Sequence, residues 1–282
     1  MKITFPEIIQ IETNILCNGE CLFCPRDKAV RDKKIMKDEV WRKIIDESRG
    51  MNIIYRPFMV NEPLTDKRMT EIIRYIKIDE TAHVELNSNG SLLTEELSLN
   101  LIDAGLDVIR FSVDGFSEES FRNSGRGDDF NTVVENINNF IILKNKMKSD
   151  VLVRVRMIDM DINKHEQDDY LVYWTKRADK VDIVDLYNWP WTVQEEPVMK
   201  PCPKIKKEMF FNTDGKAVLC CWDNYTKGVI GDINDSTVEE IWNGEINRRY
   251  REYLNKGMRD LITLCSRCDG YDHYDFTNWE GY

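Results

Sequence analysis

Between Ile8 and Leu186 the chain alternates two apolar patterns. Short runs of apolar and β-branched residues fall at Ile8–Glu12, Ile53–Val60, His83–Leu86, Val108–Val113, Val151–Met157 and Val181–Leu186. Each has the length and continuity of a strand buried in a parallel sheet. The segments Lys37–Ser48, Lys67–Ile78, Thr94–Ala104, Phe130–Met147 and Glu166–Ala178 lie between or after them, with charged residues at helical spacing. Strands alternating with helices predict a parallel sheet with right-handed crossovers. Six strands are too few to close an eight-stranded barrel. The expected α/β fold is therefore a partial, open (β/α)6 TIM-like barrel, with ligands at the C-terminal ends of its strands.

The rhythm breaks near Tyr187, at Asn188-Trp189-Pro190-Trp191. Beyond it, Met209–Asn212 and Lys216–Cys221 flank Thr213-Asp214-Gly215, a hairpin signal. Ser236-Thr237-Val238-Glu239 fits a capping box ahead of one helix over Val238–Asn255. Two domains follow: a barrel over residues 1–187 and a small α+β unit over residues 188–282. The second is too small to bury much core alone, so its cysteines suggest a metal staple.

The 282 residues carry a net charge of −11, which argues against nucleic acid or an anionic membrane as partner. The start, Met1-Lys2-Ile3-Thr4-Phe5-Pro6, lacks the apolar run of a signal peptide, and no stretch reaches membrane-spanning length. A cytoplasmic location is expected. Eight cysteines without an export signal point to metal binding rather than disulfides. They fall in two groups, Cys17–Cys24 and Cys202–Cys268, which implies two metal centres.

Cys17, Cys21 and Cys24 follow the first strand with the spacing C-x3-C-x2-C, and Phe23 precedes the last. Iron–sulfur clusters are held by cysteine thiolates, and a [4Fe–4S] cube normally takes four. Three thiolates leave one iron open to a substrate or cofactor. Three zinc ligands awaiting a fourth would give the same spacing. The pattern resembles the radical S-adenosylmethionine (radical SAM) enzymes. In that family the open iron chelates the methionine moiety, and one electron splits the sulfonium to a 5′-deoxyadenosyl radical.

Further motifs extend the resemblance. Met59-Val60-Asn61-Glu62-Pro63 resembles the family's glycine-glycine-glutamate motif, with Met59 and Asn61 where small residues are usual; it implies that Glu62 contacts the methionine amino group. Asn87-Ser88-Asn89-Gly90 resembles its Ser-Asn-Gly turn. Ser112-Val113-Asp114-Gly115 and Arg126-Gly127 resemble motifs of the subgroup with C-terminal cluster domains. The resemblance implies that Ser112 and Arg126 contact the ribose and carboxylate of S-adenosylmethionine, and adds Phe23 and Asn89 to the cofactor-binding set. Glu62 read without it is a loop acid, and Arg126 a surface ion pair.

The pattern Cys202, Gly215, Cys220, Cys265-Ser266-Arg267-Cys268 resembles the SPASM/twitch auxiliary-cluster domain. The shorter twitch form implies one cluster with Cys202, Cys220, Cys265 and Cys268 as ligands, closed to substrate and suited to electron transfer. Zinc is the alternative at these four positions. Cys221 is left over: a structural residue, a substitute ligand or a hydrogen-atom donor. Strand alternation would turn it away from Cys220. Arg154 and Arg156 share a strand face, and Arg156 is a candidate substrate contact or a partner of Asp182 or Asp185. His83, His165 and His273 show no catalytic or ligand spacing.

The expected cofactors are two [4Fe–4S] clusters and S-adenosylmethionine. The expected partners are a small-molecule substrate, or a peptide, and a reducing donor such as flavodoxin or ferredoxin. The first strand leaves no room for an N-terminal peptide-recognition domain, and the single closed auxiliary cluster resembles that of an aminocyclitol dehydrogenase. The leading expectation is hydrogen abstraction from a sugar or cyclitol, ending in oxidation or epimerisation. Peptide modification is the second reading and a non-catalytic metal-binding module the third.

Overall fold

The computed structural model describes residues 5–32, 34–127, 129–186, 201–266 and 268. The Asn188–Trp191 break, the boundary near 187 and His273 lie outside them.

Six strands form a parallel sheet in chain order: β1 (Ile8–Ile11), β2 (Ile54–Arg56), β3 (His83–Ser88), β4 (Val108–Ser112), β5 (Leu152–Asp159) and β6 (Lys180–Asp185). The helices α1 (Asp38–Glu47), α2 (Met69–Ile76), α3 (Glu95–Asp103), α5 (Phe130–Met147) and α6 (Gln167–Trp174) connect them as expected. Among the described residues β6 is an outer strand, so their barrel stays open. β2 is shorter than the apolar run because Pro57 follows Arg56 and has no N–H for the ladder. A further helix, α4 (Glu118–Asn123), escaped the apolar pattern: it is one short polar turn, capped by Ser117, whose hydroxyl accepts from the Ser120 N–H at 3.2 Å.

The C-terminal unit continues the same sheet. β7 (Glu208–Phe211) pairs parallel with β1, and β8 (Lys216–Val218) and β9 (Val229–Asp232) follow antiparallel. The Asn212 carboxamide oxygen accepts from Asp214 and Lys216 N–H to close the β7–β8 hairpin, and Gly215 sits at φ +88°. The expected single helix is two, α7 (Val238–Trp242) and α8 (Glu245–Asn255). Gly244 intervenes where a Cβ would lie 3.1 Å from the Glu240 and Ile241 carbonyls, and Arg251 stacks on Trp242 while donating to its carbonyl at 2.6 Å. The capping box lies one residue later than the sequence pattern placed it, on Thr237 and Glu240.

The two faces of the parallel sheet differ. Ile9, Tyr55, Val84, Leu86, Ile109, Phe111, Val153 and Val155 are buried in one apolar core. By the period of two, the opposite, inner face carries Gln10, Arg56, Glu85, Asn87, Arg110 and Arg154. Such charges are rarely buried without partners. Their presence marks the inner face as something other than core.

Candidate active site

The loop after β1 carries Cys17, Cys21 and Cys24, all free thiols and partly buried. Its glycine sets their geometry: a Cβ on Gly19 would lie 3.7 Å from both the Cys17 and Cys21 sulfurs, and the Gly19 N–H donates to Cys17 Sγ at 3.3 Å. Burial pushes the Cys21 thiol up to about 11, with the neighbouring Cys24, Asp114 and Cys17 adding to the rise against Arg126. Burial raises Cys17 and Cys24 in the same direction. Three desolvated soft donors in one loop fit a cationic iron–sulfur cluster, which favours the thiolates that burial disfavours.

A Gly-Arg-Gly run holds this loop from above. Gly125 (φ +78°) accepts the Glu20 N–H at 2.9 Å, and Ser124 accepts the Leu22 N–H at 3.2 Å. Between the glycines, Arg126 lies under Phe23, 5.6 Å from the ring centroid, and pairs with Asp114 through Nε at 2.7 Å and through Nη2. Burial works against its charge, but Asp114 and the Cys21 and Cys24 thiols outweigh it and hold the guanidinium above its ordinary value. Arg126 is thus a buried ion pair rather than a surface one. Asp114 also accepts the Ile158 N–H at 2.8 Å, which fixes the end of β5.

Glu62 is 3% exposed. Its carboxylate accepts from the N–H groups of Leu64 (3.0 Å) and Asn89 (2.7 Å) and from the Ser88 hydroxyl (2.9 Å). It therefore caps the turn Pro63–Thr65 and ties the β2 loop to the β3 loop, so it is not a solvated loop acid. Three of about four acceptor positions are used, which leaves one for a cation. Burial pushes Glu62 up to about 7 despite those bonds. Asn89 donates to the Asn18 side chain at 2.9 Å, so the β3 turn also grips the thiol loop. Ser112 ends β4 opposite Arg156. Phe23, Glu62, Asn89 and Arg126 thus gather around the thiol loop, and Ser112 lies at the same C-terminal edge of the sheet.

The second cysteine group gathers around β8 and the chain after α8. Cys265 is buried, and burial, followed by the charges of Cys268 and Cys202, raises its thiol. Cys220 feels Cys268 as well. Cys202 N–H donates to the Leu254 carbonyl at 3.3 Å, and Arg259 donates to the Cys268 carbonyl at 2.7 Å. Cys265 thus lies near Cys268 and Cys202, and Cys220 near Cys268, and four thiols gathered in this way fit a closed cluster. Among the described residues, neither group is by itself a finished metal-ligand set.

The alternation argument for Cys221 fails. β8 stops at Val218 after a register shift, and Cys220 and Cys221 lie beyond it, outside any strand. Lys204 donates to Cys221 Sγ at 3.2 Å and lies 3.9 Å from Glu208, which accepts from Gln10 at 3.1 Å. This polar chain runs onto the inner face. Arg156 is 3.5 Å from Asp182, which Arg154 holds at 2.8 Å; Asp185 is opposite Asp159 instead. His83 sits beside Asp107, and His165 beside the buried Glu166.

Sequence reasoning missed several positioning residues. Glu12, fully buried, accepts from Arg31 at 2.6 Å and from Thr213 N–H at 3.4 Å, joining β1 to the hairpin turn. Gly125 and Asn18 were also unassigned. Arg110 was missed, although a lone arginine within Val108–Val113 is the kind of signal that could have found it.

Residues 11–153 match the Radical SAM superfamily, and residues 202–269 match an iron–sulfur cluster-binding domain, SPASM. A probable GTP 3′,8-cyclase of Methanothermobacter marburgensis is 26% identical over 63% of this chain and 57% of its own length. One of Methanococcus vannielii is 24% identical over 72% of this chain and 69% of its own. Among solved structures, BtrN in complex with AdoMet and 2-DOIA superposes with a TM-score of 0.66 at 18% identity, covering 95% of this chain and 94% of that one. Native anSMEcpe with bound AdoMet and a peptide gives 0.64 at 16% identity, covering 92% and 87%. Streptococcus suis SuiB bound to its precursor peptide gives 0.68 at 9%, covering 93% and 71%.

Proposed function

The chain belongs to the radical SAM superfamily and carries a SPASM cluster-binding domain, and we propose that it abstracts a hydrogen atom from a small polar metabolite, a sugar or cyclitol, which is then oxidised or epimerised. Its cofactors are S-adenosylmethionine and [4Fe–4S] clusters. When bound, they supply the electron and the 5′-deoxyadenosyl radical that take the hydrogen atom. The protein's part is to hold, orient and exclude water.

The observation that carries the substrate reading is the polar inner face, with Gln10, Asn87, Arg110 and Arg156 on the strands that end below the three thiols. A hydroxyl-rich or charged molecule finds donors and acceptors there; an apolar one does not. In this reading Cys17, Cys21 and Cys24 hold the open cluster. Glu62 offers its remaining acceptor position to the methionine ammonium. Arg126, fixed by Asp114, faces the carboxylate, and Ser112 the ribose. Cys202, Cys220, Cys265 and Cys268 hold the closed cluster, which passes an electron on. BtrN, whose structure contains 2-DOIA, shares the fold and supports a small-molecule substrate; the peptide-bound anSMEcpe and SuiB share the fold as well and support the peptide reading.

The curated relatives named GTP 3′,8-cyclase support a second reading, in which the metabolite is a nucleotide and the product a ring. The arginines of the inner face suit it.

Among the described residues no helix is long and apolar enough to cross a membrane. The test is anaerobic assay of 5′-deoxyadenosine with S-adenosylmethionine and a chemical reductant. The wild type is expected to form it, faster when the metabolite is present. A Cys17→Ala/Cys21→Ala/Cys24→Ala protein is expected to form none, and formation by that protein would sink the reading. Stimulation by peptides but not by sugars, cyclitols or nucleotides would replace the substrate class.

A further inference from the structure

Three arginines meet on the inner face of β4 and β5. Arg110 and Arg154 are directly opposite in register, and Arg156 is one step nearer the C-terminal edge, opposite Ser112. All three belong to the same face, because Ile109, Phe111, Val153 and Val155 occupy the other.

Their counter-charges do not balance. Asp182 is shared, at 2.8 Å from Arg154 and 3.5 Å from Arg156. Among the described residues Arg110 hydrogen-bonds to a neutral partner, the Asn87 carboxamide oxygen at 2.6 Å. Glu85, the other acid near them among the described residues, is engaged by Arg56 at 2.7 Å. The Nε–H groups of Arg110, Arg154 and Arg156 are all buried, and among the described residues none has a hydrogen-bond partner. Arg110 is 5% exposed. Burial, and next the charges of Arg156 and Arg154, push it down to about 9. A guanidinium does not give up its proton in a protein. Its positive charge therefore stays, and among the described residues no acid is hydrogen-bonded to it.

A buried cationic cluster with unused donors is costly unless an anion completes it. Guanidinium forks match the paired oxygens of phosphate and carboxylate. Access is from the C-terminal edge, where the Arg156 side chain is still 28% exposed. We propose that Arg110, Arg154 and Arg156 form an oxyanion site on the inner face, which takes a phosphate or carboxylate group of the substrate and anchors it beneath the cofactor edge. The inference rests on reading the inner face as the substrate side and narrows the metabolite to an acidic one.

The experiment reads anion binding rather than turnover. Inorganic phosphate, acetate and chloride at matched ionic strength are titrated by calorimetry and by thermal shift into the protein with both clusters reconstituted. Phosphate is expected to bind and raise Tm above the chloride control. Acetate binding in its place assigns a carboxylate group to the same site. Arg110→Gln and Arg156→Gln are each expected to weaken the anion by about tenfold or more, the loss of one charge-assisted contact. In chloride, Arg110→Gln is expected to melt no lower than wild type, because one of three like charges is gone; Arg156→Gln, at the more exposed position, provides the comparison should it not fold. Phosphate and acetate binding no better than chloride, or unchanged binding in both variants, would overturn the site. A wild type that binds phosphate but forms no 5′-deoxyadenosine would remove the proposed reaction and leave the anion site standing. Deoxyadenosine formation without anion binding would do the reverse.

Discussion

Gly125 and Glu20 meet backbone to backbone: the Glu20 N–H donates to the Gly125 carbonyl at 2.9 Å, and a Cβ on Gly125 would collide with the Glu20 carbonyl oxygen. The same Cβ would be 3.0 Å from Cys21 Cα, and φ is +78°. A residue four helices and three strands further along the chain than the thiol loop thus sets its shape.

Gly125→Ala is therefore expected to damage the first centre more than the fold. A non-glycine residue in the left-handed region costs about 1–3 kcal/mol, and the collision adds to it. Iron per chain should fall from about eight towards about four, one cube of two lost, and deoxyadenosine formation should drop with it. Wild-type iron content would show that the glycine merely fills a turn.

Asp114→Asn tests the buried ion pair. It removes the charge facing Arg126 and weakens the acceptor for Ile158 N–H. Breaking a buried pair from one side costs about 3–5 kcal/mol. Urea unfolding should show a loss in that range with an unchanged slope. A change below about 1 kcal/mol, the surface-pair range, would mean that solvent reaches the pair.

Glu62 makes a pH prediction with a definite sign. Burial raises its folded pKa from 4.5 to about 7, above the unfolded value. The folded state therefore holds the proton more tightly, and stability falls as pH rises from about 4.5 to about 7, then levels off. The span is about 3 kcal/mol at 1.36 kcal/mol per unit. Other groups titrate in the same range, so the difference between wild type and Glu62→Gln carries the test. That difference should grow with pH across the window. A flat difference would place Glu62 in contact with water or with a cation.

Much of the architecture was legible because parallel strands buried on one face by helices leave long apolar runs, as at Val108–Val113 and Val151–Met157. The cysteines and the Glu62, Asn89 and Arg126 motifs were legible because their spacing is local. What escaped was non-local. Nothing in the sequence near Glu208 says that β7 pairs with β1 and makes one sheet of both units. The turn after β8 could not be separated from a strand by composition, so Cys221 was placed on the wrong geometry. The Arg110 cluster needs the register of β4 on β5, which no single segment contains.

Cys221 separates oxidation from epimerisation. Once a hydrogen atom has left the substrate, oxidation removes a second electron and a proton, whereas epimerisation needs a hydrogen atom returned from the opposite face. A thiol could return it, and Cys221 is the cysteine not assigned to a cluster. Its sulfur, however, accepts from the Lys204 ammonium at 3.2 Å. An ammonium can only donate, so this contact favours the thiolate, which has no hydrogen atom to give. Cys221→Ala is accordingly expected to retain product formation, while alanine at Cys202, Cys220, Cys265 or Cys268 should stop it by removing the electron's exit. A Cys221→Ala protein that forms 5′-deoxyadenosine but no product, together with one deuterium delivered from deuterated water to a substrate carbon by the wild type, would make the enzyme an epimerase. In that case the Lys204 contact must open during turnover.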